Sequence, residues 1–339
     1  MKHPCKKTAL AMMVCLFGVP RADAGQAYLG TASTFNVFTY GDMTQSNDDA
    51  QGAIAVGGNA TLTSFAVADS GSSNDPRIGS VNSALVVGGS LNFTNGSIDN
   101  GNALVAGNVS FTSAGIPNGA IYYGGTTTMP SYVPQHSVSG GDIPTGFFSS
   151  AETTLTNDST QLSHQAANGT VTLGAGNALT LTGSNHSTTN YFTLTAAEFA
   201  SASHGTFTID APAGSTVIIN VEGAAPTLTN SMFYVNGVAA SDVLFNFYQA
   251  TSLSLTSTSP LGSILAPDAI FTGSGGHSDG NFIVNSITTH TSFEYHNDSY
   301  FDGTPTFQSV PEPSSMILLA SASGIGGIVY FRRRRASSR

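Results

Sequence analysis

The sequence predicts an all-β fold: a single β-solenoid domain, parallel β-helix-like, with one flanking α-helix, an N-terminal signal peptide and a short C-terminal transmembrane helix. Three observations carry this. Four segments are near copies, Ala53-Ile-Ala-Val-Gly-Gly58, Ala84-Leu-Val-Val-Gly-Gly89, Ala103-Leu-Val-Ala-Gly107 and Ala120-Ile-Tyr-Tyr-Gly-Gly125, each an apolar strand closed by a glycine corner. Their starts lie 31, 19 and 17 residues apart, close to one coil length, and the longest gap holds a polar insertion at 70–76. The composition, with 38 glycines, no tryptophan and 9% charged residues, favours strands and tight corners over helices. Stacked coils bury one continuous core while each touches only its neighbours, so short apolar segments suffice.

The elements follow in order. Residues 1–24 combine a basic start (Lys2, Lys6, Lys7), an apolar run over 9–19 and the small-residue pattern Ala22-Asp23-Ala24. This predicts a secretory signal cut by signal peptidase before Gly25, its apolar run too short to anchor. Both cysteines, Cys5 and Cys15, fall inside it, so the mature chain has neither a disulfide nor a thiolate metal site. Residues 25–309 form the passenger, with its core at about 30–305. After the repeats and a proline-rich passage at 129–144, a helix is expected over 148–167, with Leu155 and Leu162 seven apart on one face and Asn168-Gly169 as its stop. Strand patterns resume at 170–173, 178–182, 206–210, 216–221, 243–247, 253–255, 263–265 and 281–284.

The tail, 310–339, reads Val310-Pro311-Glu312-Pro313-Ser314, then an apolar stretch at 316–331, then Arg332, Arg333, Arg334 and Arg335. Such a segment stops in the inner membrane with its arginines in the cytoplasm, which places the passenger outside; its 16 residues are marginal for a permanent span. The three parts resemble the PEP-CTERM sorting signal of Gram-negative bacteria that make exopolysaccharide. That resemblance implies recognition and cutting near Pro311-Glu312-Pro313 by an exosortase, a transient membrane-anchored precursor, and a product at the cell surface or in the extracellular matrix.

The passenger in turn resembles the choice-of-anchor A domain, an adhesive module found in front of surface-sorting signals. The resemblance rests on Phe35-Asn-Val-Phe38, Ala53-Ile-Ala-Val-Gly-Gly58, Ala211-Pro-Ala-Gly214 with Ile219-Asn-Val-Glu-Gly223, Leu244-Phe-Asn-Phe247, Gly262-Ser-Ile-Leu-Ala-Pro267 and Glu294-Tyr-His296.

Charge narrows the function. Between the two terminal segments, eighteen acids face one base, Arg77, a net charge of −17. Nucleic acid is excluded as a partner, because phosphate binding needs clustered Lys and Arg. Gly276-His277-Ser278-Asp279-Gly280 matches the G-x-S-x-G nucleophile elbow, but that motif needs a strand-to-helix turn and a strand follows here. His290, Glu294 and His296 share a strand face by parity without a helical zinc spacing, and read as side chains that fix a terminal turn. Asn47-Asp48-Asp49 lacks a calcium-loop pattern. No catalytic residue, metal or cofactor is therefore assigned, and the chain is expected not to be an enzyme. The leading expectation is an adhesin or structural component of the biofilm or exopolysaccharide matrix, with a matrix component as ligand. Two alternatives stand beside it: a polysaccharide-acting enzyme on a solenoid scaffold, and a sugar- or ice-binding module using ordered threonines such as Thr126-Thr-Thr128.

Overall fold

A computed structural model describes residues 28–70, 76–133, 135–137, 143–288 and 292–307. The signal peptide with Ala22, Ala24 and Gly25, the sorting tail from Val310 to the arginines, most of the 70–76 insertion and His290 lie outside the described residues.

The expected solenoid is present. Each coil has three short straight segments, and corresponding segments of successive coils pair in parallel, so the molecule has three long faces. In the coil built from the first repeat these are Ile54–Val56 on face A, residues 60–63 on face B and residues 65–67 on face C. The four repeats stack on face A as neighbours: Ile54 pairs with Leu85, Leu85 with Ala103 and Ala103 with Ile121. The third copy sits one residue away from the alignment its letters suggest. Ser83 pairs with Asn102 and Leu85 with Ala103, which leaves Ala84 as the extra residue of a bulge and makes the true coil spacing regular beyond it.

The coils do not stack in chain order. The chain enters in the middle of the stack at Val37–Thr39, winds to one end through the four repeats and finishes there with Gln135–Ser137. Helix α1, Phe147–Ser163, returns along face A, and a second series of coils then winds back to the middle, where Val37 pairs with Phe282. Two buried asparagines close this seam. The Asn36 side chain donates to the carbonyls of Gly280 and His296, both at 2.8 Å, and Asn281 donates to Phe35 at 2.7 Å while accepting from the Phe301 backbone at 2.8 Å. One strand, Ser263–Asp279, runs across all three faces, and a separate four-stranded sheet spans Thr170–Gly174, Ala178–Thr182, Thr206–Asp210 and Met232–Asn236.

Inside, phenylalanine and aliphatic side chains form one continuous core, and a second core lies between face A and α1. Leu155 and Leu162 are fully buried there, as the seven-residue spacing predicts, against Ile218, Leu244, Leu265 and Ile283. Two asparagines on face A grip the helix backbone: Asn220 donates to the Leu162 carbonyl and Asn246 to that of Ser159, each at 2.9 Å. The helix ends at Ser163, four residues before its expected end at 167, because Asn168 belongs to the next coil and bonds the backbone of Tyr191 and Thr189. A short helix α2, Ala196–Ala200, was not expected; its capping box of Thr195 and Glu198 is legible as T-x-x-E.

The glycine doublets serve close approach and not positive φ. The Gly89 amide donates to the Gly58 carbonyl at 2.8 Å and Gly107 to Gly89 at 2.8 Å, and a Cβ on Gly89 would sit 2.6 Å from the Gly58 oxygen. Left-handed backbone appears instead at the corner between faces B and C, in Asn47, Ser64, Asn95, Ser113, Asn230 and Ser257, with Gly275 at the same position. Asparagine tolerates that region better than most residues, and a recurring corner turn over-determines it for serine.

Candidate functional site

Face B is a parallel sheet whose inward positions are locked by the core. Met43, Ala60, Leu91 and Val109 make one inward column and Leu62, Phe93 and Phe111 the next, all buried. Strand alternation then projects the residues between them outward. One outward column reads Thr227, Ser254, Thr272, Thr288, Thr44, Thr61, Asn92, Ser110 and Thr128 along the stack. Its neighbour reads Thr229, Thr256 and Ser274, then Ser46, Thr63, Thr94 and Thr112. Among the described residues neither column holds a charged or aromatic residue. Rungs about 4.8 Å apart and alternate residues about 6.6 Å apart make this a two-dimensional lattice of hydroxyls and methyls.

The edges of the lattice are held by backbone geometry. On one side seven of the strands end at the left-handed corner described above. On the other, a ladder of turn side chains links the coils: Asp42 Oδ1 accepts from the Asn59 amide at 2.7 Å, Asn59 from Ser90 at 3.0 Å, Ser90 from Asn108 at 3.1 Å and Asn108 from Thr126 at 2.8 Å. The expected threonine row at 126–128 is placed differently from its reading. Thr126 belongs to this ladder, Thr127 aligns with inward-facing Val109, and only Thr128 joins an outward column. Useful rows run across the strands, so their signature in sequence is the recurring hydroxyl–apolar–hydroxyl triplet, as in Thr61-Leu-Thr63, Ser110-Phe-Thr112, Thr227-Leu-Thr229 and Ser254-Leu-Thr256.

Face C carries the polar chemistry. Ser263–Asp279 and Glu294–His296 pair in parallel with His277 opposite Glu294 and Asp279 opposite His296, which sets four ligand-type side chains in a square on the outward side. The two imidazoles stack 4.1 Å apart. Asp279 Oδ1 lies 3.3 Å from His296 Nδ1 and 3.7 Å from His277 Nε2. Burial, then neighbouring His296, holds His277 below the usual histidine range, and burial raises Asp279. In the next coil Asp48 and Asp49 adjoin Glu294, and burial first, then neighbouring acids, pushes both up to about 6. Ser278, between His277 and Asp279, is 1% exposed on the opposite, inward side, so the G-x-S-x-G string presents no nucleophile beside a base. Glu294 and His296 do come together, at 3.1 Å, but with His277 and Asp279.

The model of the family described as "Putative Ice-binding-like adhesive domain" matches residues 28–297. The chain belongs to this family. The adhesive module expected from the sequence is thereby placed in the ice-binding-like adhesive domains, and choice-of-anchor A stays a resemblance of the quoted segments. A second model, the PEP-CTERM protein-sorting motif, matches residues 309–335 and makes the chain an exosortase-sorted protein of surface or extracellular destination. No curated protein matches the chain. Among solved structures, an ice-binding protein from an Antarctic biological consortium is 17% identical, covers 82% of this chain and 95% of its own, and has a TM-score of 0.39. The ice-binding protein LeIBP of an Arctic yeast is 12% identical over 84% of this chain and 98% of its own, with a TM-score of 0.35. That of the Antarctic ascomycete Antarctomyces psychrotrophicus is 17% identical over 80% and 98%, with a TM-score of 0.30. Among the described residues no helix of this adhesive domain protein is long and apolar enough to cross a membrane.

Proposed function

We propose that this surface protein is a non-enzymatic adhesive module that binds ice, or ice-like ordered water, through face B. The observation that carries the reading is the pair of aligned Thr/Ser columns, interrupted by Asn92 and uncharged among the described residues, on a parallel sheet anchored by the core. Threonine is stiff at χ1 and its backbone is fixed by pairing, so little conformational freedom is left to lose on contact with an ordered surface. Hydroxyls match lattice water and methyls exclude disordered water. A soluble polyanion is a poor ligand for a passenger of net charge −17.

A neutral exopolysaccharide, the ligand expected for a matrix adhesin, is the second reading, favoured by the sorting motif. Flat sugar faces are recognised largely by stacking on aromatic rings, and among the described residues the two columns have none. The domain's described ends support display of face B: Tyr28 packs on Phe301 and Phe307 and its hydroxyl donates to the Asp158 carbonyl of α1, so Tyr28 and Phe307 both lie on the helix-covered side. Partitioning of the mature protein between a slowly growing ice hemisphere and liquid separates the readings when run beside pull-down on neutral glycans. Enrichment in ice with no glycan retention is expected; exclusion from ice with glycan retention would select the matrix reading.

A further inference from the structure

We propose that His277, Asp279 and His296 on face C form a binding site for one divalent transition-metal ion of the zinc type, with Glu294 and Ser259 orienting the two imidazoles. The distances fit such an ion. Ligands about 2.0–2.2 Å from a tetrahedral metal stand about 3.3–3.6 Å from each other. Asp279 Oδ1 is 3.3 Å from His296 Nδ1 and 3.7 Å from His277 Nε2, and all three ligand atoms lie within 4.8 Å of one another.

The second observation concerns the other nitrogen of each ring. A metal-bound histidine needs its remaining N–H held by an acceptor, which fixes the tautomer and aims the free lone pair. His296 Nε2 faces Glu294 Oε2 at 3.1 Å, and His277 Nδ1 faces Ser259 Oγ at 3.1 Å. With both partners accepting, Nδ1 of His296 and Nε2 of His277, the two nitrogens beside Asp279, would be the ones left to face a metal. Stacking of the two rings at 4.1 Å disfavours two imidazolium charges side by side.

Strand pairing supplies the rigidity. His277 and Asp279 are alternate residues of one strand and His296 lies opposite Asp279 on the next, so the site bridges the coil ending at Asp279 and the coil that closes the domain. Side-chain exposures of 29% for His277, 20% for His296 and 13% for Asp279 leave one side open to solvent. The fourth position would take water or an oxygen of an external group. Cysteine is absent from the mature chain, so N/O ligation favours zinc, nickel or cobalt over copper(I).

The test is titration of the full mature chain with Zn2+ by calorimetry, and with Co2+ by visible absorption, whose intensity reports tetrahedral ligation. One equivalent is expected to bind, with a rise in melting temperature. His277→Ala and, separately, Asp279→Asn, which preserves shape, should each abolish binding and that rise. Glu294→Gln should keep the stoichiometry but weaken affinity about 10–100-fold, as expected for an orienting partner. Asp48→Asn should leave binding unchanged. Absence of stoichiometric binding, or binding equally strong in the folded Asp279→Asn variant, overturns the proposal. Because ice partitioning reads face B alone, failure here is distinguishable from failure of the adhesive reading.

Discussion

Asp48 and Asp49 show how single residues set the solution behaviour of face C. Both carboxyls titrate near pH 6 because burial disfavours their charged forms, with Glu294 or Asp69 adding like charge. A carboxyl whose folded pKa is raised contributes stability that is complete below its unfolded value near 4 and is lost as pH rises through about 6. Asp158, on α1 and raised to about 6 by burial, acts in the same direction. The double change Asp48→Asn, Asp49→Asn is expected to leave the melting temperature unchanged at pH 4 and to raise it by pH 7. The gain should be about 1 kcal/mol, or roughly 2–4 °C, smaller than the full shift because both side chains keep contact with water. Thermal melts across pH 4–8 check this, and a difference that shrinks as pH rises contradicts it. At this scale the sequence named Glu294 and His296 but not their partners. His277 is close to His296 only because two parallel strands align, which no spacing along the chain reveals.

Among the elements, the rungs on face A were the most legible, since each repeat is too short to bury its own apolar side chains and must stack. Gly58, Gly89 and Gly125 do occupy equivalent corners, yet for a reason the letters leave open. The next coil's backbone passes within contact distance of where a Cβ would stand, while φ is ordinary. Gly89→Ala is therefore expected to cost about 1–3 kcal/mol through overpacking against the Gly58 carbonyl and the Asn59 side chain. Denaturant melts measure it; a neutral effect would mean the coils part easily. The bulge at Ala84 and the early end of α1 were not legible, because both are decided by pairing with distant strands. The hydroxyl–apolar–hydroxyl triplets are present in the sequence, but only the register between strands turns them into columns.

For the whole molecule, the all-β class, the single domain and the flanking helix follow from composition and repeats, whereas the order of coils does not. The second series has degenerate strands of unequal length, and its return to Val37 through Asn36 and Asn281 joins residues some 245 apart in sequence. That return brings both terminal segments to one side, which suits a domain sorted through its tail. Processing is expected to give a mature chain that starts at Gly25 and lacks everything beyond about Pro313, and Glu312→Ala should retain the precursor in the inner membrane. Intact mass of surface material decides it, and a surface form that keeps Arg332 to Arg335 contradicts it.

The central claim is that adhesion resides in the columns of face B. It is tested most directly by ice adsorption of Thr63→Lys, Thr94→Lys, two outward changes on adjacent rungs, against a control carrying Ala66→Lys alone on face C. Wild-type uptake is expected for the face C variant and loss of uptake for the face B variant, with both folded by circular dichroism. Equal uptake by all three proteins would contradict it.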